Sequence, residues 1–326
     1  MSSLNYDVIA LGELLIDFTD YGISGQNNPV FEANPGGAPG NVLAMLAKLG
    51  KRTAFIGKVG DDMFGRMVTD ALKKCGIDTR FILVDSSANT TLAFVRNAPD
   101  GEREFSFFRK PGADTMLCTE ELPRELSGGC KILHIGTLSL THKPSKDATI
   151  AAVTAAKNTG ALVSFDPNLR PLLWDALDDA SKQISWGLSV CDIVKIADDE
   201  LRFITGENDL ATGITQLRAE HPQIKLILLT KGRGGAECFW CGLHAEQPAF
   251  LTGATIDTTG AGDAFMGACL SFVLDAGLEH LALEKLEQML AFASAAASLV
   301  TTKKGALLSM PEKAEVQLLI KSGTAL

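Results

Sequence analysis

The sequence predicts an α/β fold, a largely parallel sheet with helices on both faces. Three observations predict it. Short apolar runs recur at Asp7–Leu11, Thr53–Gly57, Lys131–Gly136, Ala161–Phe165, Asp192–Ile196 and Lys225–Thr230. Many are apolar throughout rather than alternating, as strands covered on both faces are. Helical patterns lie between most of them, and strand–helix alternation builds parallel sheets through crossover connections. With 326 residues, 46% of them hydrophobic, the chain can bury a sizeable core, which excludes a disordered chain or a disulfide miniprotein.

Taken in order, residues 15–34 are awkward for a helix because of Gly22, Gly25 and Pro29. In Met63–Cys75, the residues Phe64, Met67, Val68, Ala71, Leu72 and Cys75 share one helical face, and Gly76 is placed to stop the helix. Thr90–Arg96 and Glu104–Arg109 are β-rich and flank Asn97-Ala98-Pro99-Asp100-Gly101, whose turn chemistry predicts an antiparallel hairpin. The segments at about 15–34 and 88–112 therefore read either as surface excursions or as a small β-lid over the open end of the main sheet. A late helix is expected over Ala264–Ala276. The longest apolar stretch, Ala291–Val300, is too short to span a bilayer.

Several functional classes fall away. Lys+Arg 30 against Asp+Glu 39 gives a net charge of −9, which repels phosphodiester backbones, so no nucleic-acid partner is expected. The start, Met1-Ser2-Ser3-Leu4, lacks a basic secretory n-region, and seven cysteines, an odd number, suggest reduced thiols; the expectation is a cytoplasmic protein with no membrane partner. Cys238 and Cys241 have CxxC spacing, but no second pair completes a zinc site, so core cysteines are expected. The P-loop GxxxxGK[ST], a first-strand GxGxxG, HExxH and GxSxG are all absent.

The strongest local signal is Asp257-Thr258-Thr259-Gly260-Ala261-Gly262-Asp263-Ala264-Phe265. Gly260, Ala261 and Gly262 form a small-residue loop feeding a helix N-terminus, where free amides and the dipole favour an anion. Asp263 falls in the first turn. Alone, such an aspartate is often only a cap. The whole string, however, sets an anion hole beside a carboxylate, the two parts needed to phosphorylate an alcohol.

This string resembles the C-terminal signature of the PfkB (ribokinase-like) family of sugar and nucleoside kinases. The family's N-terminal signature has its counterpart in Pro35-Gly36-Gly37-Ala38-Pro39-Gly40-Asn41-Val42, followed by Gly57-Lys58-Val59-Gly60-Asp61-Asp62-Met63-Phe64-Gly65. The resemblance runs from about residue 5 to residue 312. It implies a ribokinase-like three-layer α/β/α fold over residues 1–326 as a single domain, with a mostly parallel central sheet and the lid inserted in it. It also implies a division of labour. Asp263 resembles the catalytic base, and Gly260, Ala261 and Gly262 resemble the γ-phosphate anion hole. Asp17, placed at the end of the first strand, with Gly36, Gly37 and Asn41, resembles the sugar side. Thr230 and Gly232 match the nucleotide-binding strand end, Arg170 is placed to approach the phosphates, and Asp257 and Thr259 resemble ligands of a monovalent cation, usually potassium. ATP and Mg²⁺ are the implied cofactors, and relatives often dimerise through their lids.

Two positions depart from the family pattern. Glu200 of the N-x-x-E motif, a Mg²⁺ organiser acting through water, is kept, but its asparagine position holds Ala197. Ser294 stands where many relatives carry an asparagine near the nucleotide. The stretch Glu102–Arg109 resembles the fructokinase branch, with Arg109 facing the sugar pocket and Phe107 as an apolar wall. His134-Ile135-Gly136-Thr137-Leu138-Ser139 resembles that branch too. The expected reaction is ATP-dependent phosphorylation of D-fructose at O6. Aminoimidazole riboside, 2-keto-3-deoxygluconate and ribose remain alternative substrates, and outside catalysis a silent sugar-binding relative remains.

Overall fold

The computed structural model describes residues 6–97, 103–126, 129–251 and 255–323. In chain order the first half comprises β1 (Tyr6–Leu11), β2 (Leu15–Ile23), β3 (Pro29–Gly36), α1 (Ala38–Lys48), β4 (Thr53–Gly60), α2 (Met63–Lys74), β5 (Asp78–Asp85), β6 (Thr91–Asn97) and β7 (Arg103–Phe108). Then come β8 (Cys130–Gly136), α3 (Ser145–Asn158), β9 (Leu162–Asp166), α4 (Leu177–Val190), β10 (Ile193–Ala197), α5 (Asp198–Thr205) and α6 (Leu210–Glu220). The last part holds β11 (Leu226–Thr230), β12 (Ala236–Trp240), β13 (Leu243–Gln247), α7 (Ala261–Ala276), α8 (Leu283–Val300) and α9 (Lys313–Ser322).

All six apolar runs are strands of one nine-stranded sheet, ordered β13-β12-β11-β10-β9-β8-β1-β4-β5. The sheet is parallel from β11 to β5, and the β12–β13 hairpin extends it antiparallel. Two-faced burial explains the continuous apolar runs. On β1, Val8 and Ala10 pack into a core with α1, α2, α7, α8 and α9, whereas Ile9 and Leu11 pack into a second core with α3, α4, α5 and α6. Each fully buried aliphatic chain contributes roughly 1.5–3 kcal/mol, and the alternation fixes which side each strand residue faces. Helix, sheet and helix make three layers. Because the parallel strands share a direction, their C-terminal ends open along one edge, where sheets of this kind carry their ligand sites.

Over that edge lies the small sheet, ordered β3-β2-β6-β7. It is the lid expected from the two irregular segments, although its first hairpin reaches Gly36. β6 and β7 pair antiparallel as predicted, and their Pro99-Asp100-Gly101 turn lies outside the described residues. An aromatic cluster stiffens the lid: Phe18 stacks on Phe94 at 4.6 Å, and Phe31 and Phe108 meet Phe94 edge-on. Phe18 also meets Phe64 of α2 at 5.6 Å, which ties the lid to the body.

Asp62 makes a second tie. Its Oδ1 caps α2 by accepting from the amides of Phe64 (3.0 Å) and Gly65 (2.8 Å), while Oδ2 accepts from the Thr90 amide at 2.8 Å, one residue before β6. A Cβ on Gly60 would lie 2.5 Å from that same amide, so the second half of the N-terminal signature is a lid anchor. The cysteine expectation holds for one partner only. Cys238 is buried, whereas Cys241 is exposed in the β12–β13 turn at φ 46.

Candidate active site

A cleft of about 900 Å³ runs beneath the lid and along the strand ends, from Glu13 after β1, past Leu138 after β8 and Arg170 after β9, to Thr230 and Gly232 at the end of β11. Two helices point their N-termini into it. α1 starts after Gly37, whose φ of 129 and whose approach to Glu13 (a Cβ would sit 2.3 Å from that carbonyl oxygen) admit only glycine. The Ala38 amide then donates to Glu13 Oε1 at 2.9 Å. α7 starts after Gly260, at φ 80, where a Cβ would strike Ala306. The helix begins three residues earlier than predicted, and Asp263 lies within its first turn as expected.

The two signatures meet in one hydrogen bond. Asn41 Nδ2 donates to Asp263 Oδ2 at 2.8 Å, and both residues are buried. This fixes the carboxylate's orientation and leaves its other oxygen free of that bond. Asn41 Oδ1 is buried without a hydrogen-bond partner, an acceptor suited to an incoming hydroxyl. Burial pushes the Asp263 carboxyl up to about 6, with repulsion from Asp166 adding to it; Asn41, Lys195 and Arg170 act in the opposite direction. A carboxylate near 6 is a capable base at neutral pH. Above it, the first-turn amides of α7 have no partner inside the helix. Ala261 departs from the expected trio, because its amide donates to Thr258 O at 3.3 Å. Of the expected trio, Ala261 is thus the one whose amide is already engaged, and any anion at this helix start would be met by the following amides, beside Gly262.

At the lid side, Asp17 lines the cleft, but from the start of β2 rather than from the end of the first strand. Burial raises its pKa to about 7. Gly36 is not on the cleft wall but packs behind Asp17, with a Cβ position 3.0 Å from Asp17 Oδ2. Phe107 forms part of the wall with Leu15 and Val95, and period-two alternation turns Phe108 to solvent.

Arg109 does not face the cleft. Its guanidinium is buried against Asp114 at 2.7 Å and donates to Thr141 Oγ1 and to the Leu138 carbonyl, so it braces the wall from behind. Ser294 is likewise off the wall, because its helical register turns it into the core of α8. Arg170 lines the cleft and is half free: Nη1 donates to the adjacent Leu169 carbonyl at 3.1 Å.

Three residues of the site were not marked by their spacing. Glu13 lines the cleft near the lid, buried, with its pKa raised to about 7 by desolvation. Lys195 and Asp166 form a buried ion pair at 3.1 Å, and Lys195 lines the cleft. A charge inside an otherwise apolar strand run was the available signal for Lys195.

Cation fit can be judged from the donors. Glu200 is buried with Oε1 accepting from the Leu169 amide and Oε2 from the Ala197 amide, both at 2.8 Å. Ala197 supplies only its backbone. Among the described residues, no group of three or more acidic, His or Cys side chains could hold a metal alone. Glu200 is not on the cleft wall and both its oxygens are held by backbone amides, so it can act on a hydrated Mg²⁺ only through water. Asp257 Oδ1 accepts from Thr259 Oγ1 (2.7 Å) and its amide (3.0 Å), and Oδ2 from the Gly305 amide (3.3 Å). These oxygen donors suit a hard monovalent cation.

Residues 5–313 match the model of the pfkB family carbohydrate kinases. The chain belongs to this family. Among its carbohydrate-kinase relatives, a probable fructokinase-2 of Arabidopsis thaliana is 42% identical over 327 residues, 98% of this chain and 99% of that protein. Among solved structures, a fructokinase with bound ATP from Xylella fastidiosa superposes with a TM-score of 0.88 at 32% identity, covering 97% of this chain and 98% of that one. A fructokinase double mutant from Vibrio cholerae O395, with fructose, ADP and a potassium ion bound, gives 0.86 at 31%, covering 98% and 99%. The three-layer body and lid are therefore those of a carbohydrate kinase. Among the described residues no helix is long and apolar enough to cross a membrane.

Proposed function

We propose that the protein is an ATP-dependent fructokinase that transfers the γ-phosphate to O6 of D-fructose. The observation that carries it is the Asn41–Asp263 hydrogen bond, which sets a base with a pKa near 6 beside the open amides of α7. The fructokinase names and contents of the similar proteins support the sugar. Fructose lies under the lid between Phe107 and Leu15, with hydroxyls donating to Asp17 and Asn41 Oδ1. Closure of the lid excludes water, so the sugar rather than solvent is the acceptor. Asp263 takes the O6 proton while the amides beside Gly262, with Arg170, face the charge on the transferred group. ATP lies toward Thr230 and Gly232. Mg²⁺ bound with the nucleotide, held by Glu200 through water, would neutralise phosphate charge, and K⁺ at Asp257 and Thr259 would firm the loop before α7.

The whole chain works as one kinase domain in the cytoplasm, where its thiols stay reduced. Two copies pair through their lids, which expose Tyr21, Ile23 and Phe108. Fructose-dependent ADP production, in a coupled assay with ATP and Mg²⁺ over a panel of sugars and ribosides, tests the reading. The expected result is the highest kcat/KM for fructose. A higher value for an aminoimidazole riboside, 2-keto-3-deoxygluconate or ribose would reassign the substrate. Sugar binding without ADP release would leave a silent binding protein.

A further inference from the structure

Lys195 is an unusual residue for its place. It sits on β10 between Val194 and Ile196, both fully buried, and is itself 6% exposed. Its ammonium lies 3.1 Å and 3.2 Å from the two oxygens of Asp166, which is 2% exposed. Taking two ions out of water costs free energy that their attraction offsets poorly, and an apolar pair of equal volume generally serves stability as well. The position points to function. The same Nζ lies 3.1 Å from where a Cβ on Gly262 would be, directly against the backbone that carries the anion hole, and it borders the cleft. Despite its burial, Lys195 stays charged: Asp166, Glu200 and Asp263 together raise its pKa.

We infer that Lys195, tethered by Asp166, is a positioning residue whose positive charge keeps the Asp263 carboxylate ionised and sets the potential beneath the α7 amides. This rests on the kinase reading above. The groups facing Asp263 are Asn41 from α1, Asp166 at the end of β9, Lys195 on β10, Arg170 from the loop after β9 and Asp17 from the lid. Only Lys195 among them is a buried cation. Gly262 leaves the room that Lys195 occupies, which explains a glycine at a helix position where alanine would otherwise be preferred.

The test is the pH dependence of kcat/KM for fructose in the full-length enzyme. In Lys195→Gln, which keeps a donor to Asp166 but loses the charge, the acid limb should move up by about one pH unit. At pH 7 kcat should fall several-fold while KM for fructose changes little. Lys195→Arg should hold the limb at its wild-type place. Lys195→Gln/Asp166→Asn, which also removes the repelling carboxylate, should bring the limb back to or below the wild-type value. An unmoved limb in a Lys195→Gln protein that melts cooperatively would overturn the inference. If that variant does not fold, a double variant whose limb moves up overturns it instead. Wild type measured in parallel separates the two readings: no fructose-dependent ADP from wild type sinks the kinase assignment, whereas an active wild type with an unmoved variant limb sinks only the role of Lys195.

Discussion

Asp263 combines three properties that no single one of its contacts provides: burial, one fixed oxygen and a pKa near 6. Asp263→Asn should lower kcat by at least ~10²-fold with little change in fructose affinity, measured by steady-state kinetics and calorimetry; activity within tenfold of wild type would refute its role as base. Because the base must be ionised, wild-type kcat/KM should fall as pH drops through about 6. Glu13 carries a stability consequence of the opposite slope. Its folded pKa, near 7, lies above the usual carboxylate value, so the folded state holds an extra proton between about pH 4.5 and 7 and loses stability as pH rises through that window. Glu13→Gln keeps the acceptor for Ala38 and removes the ionisation. Its melting temperature relative to wild type should therefore increase from pH 5 to pH 7.5, and a constant difference would show that Glu13 does not titrate there. At this scale the sequence was readable where function needs a particular residue at a particular helix start, as at Asp263 and Asn41. It misled at Arg109, because a strand-end arginine can turn to either side and a buried partner, Asp114, decides which. Lys195 went unmarked because its partner is 29 positions away and adjacent only through sheet pairing.

The elements were legible to within a few residues because each has a local cause. The strands are apolar on both faces, and α2 has its amphipathic stripe, its Asp62 cap and the Gly76 stop. The lid's second hairpin, β6–β7, was legible from its β-rich flanks and turn, but the first, β2–β3, only as irregularity. Asp17 was assigned to the end of the first strand although it falls within the segment 15–34 and stands in β2; parallel pairing of β2 with β6 joins segments distant in sequence. Asp62 is where the two levels meet, since one carboxylate caps α2 and holds the amide that leads into β6. Loss of an N-cap costs about 0.5–2 kcal/mol. Asp62→Ala should thus lower the melting temperature by a few degrees and also raise KM for fructose several-fold, because the lid loses its anchor. A drop in stability with unchanged KM would confine Asp62 to the helix.

For the molecule as a whole, the sheet edge gathers loops from β1, β8, β9, β10 and β11 into one cleft, and the lid covers the end nearest β1. The proposed lid pairing predicts a dimer in sedimentation equilibrium that Phe108→Glu converts to monomer; a wild-type monomer at micromolar concentration would refute it. The short stretch after α8 links the two halves of this cleft. Its Thr301 carbonyl accepts from the amides of Ile256 and Asp257, and its Gly305 amide donates to Asp257, on the phosphate side. Between them Lys304 lies over the Tyr21 ring, 4.7 Å from its centroid, and borders Glu32, both on the sugar side. One strut of a few residues thus touches both the lid and the loop that feeds α7. Any displacement of the lid would therefore be felt, through that strut, by the loop that feeds α7.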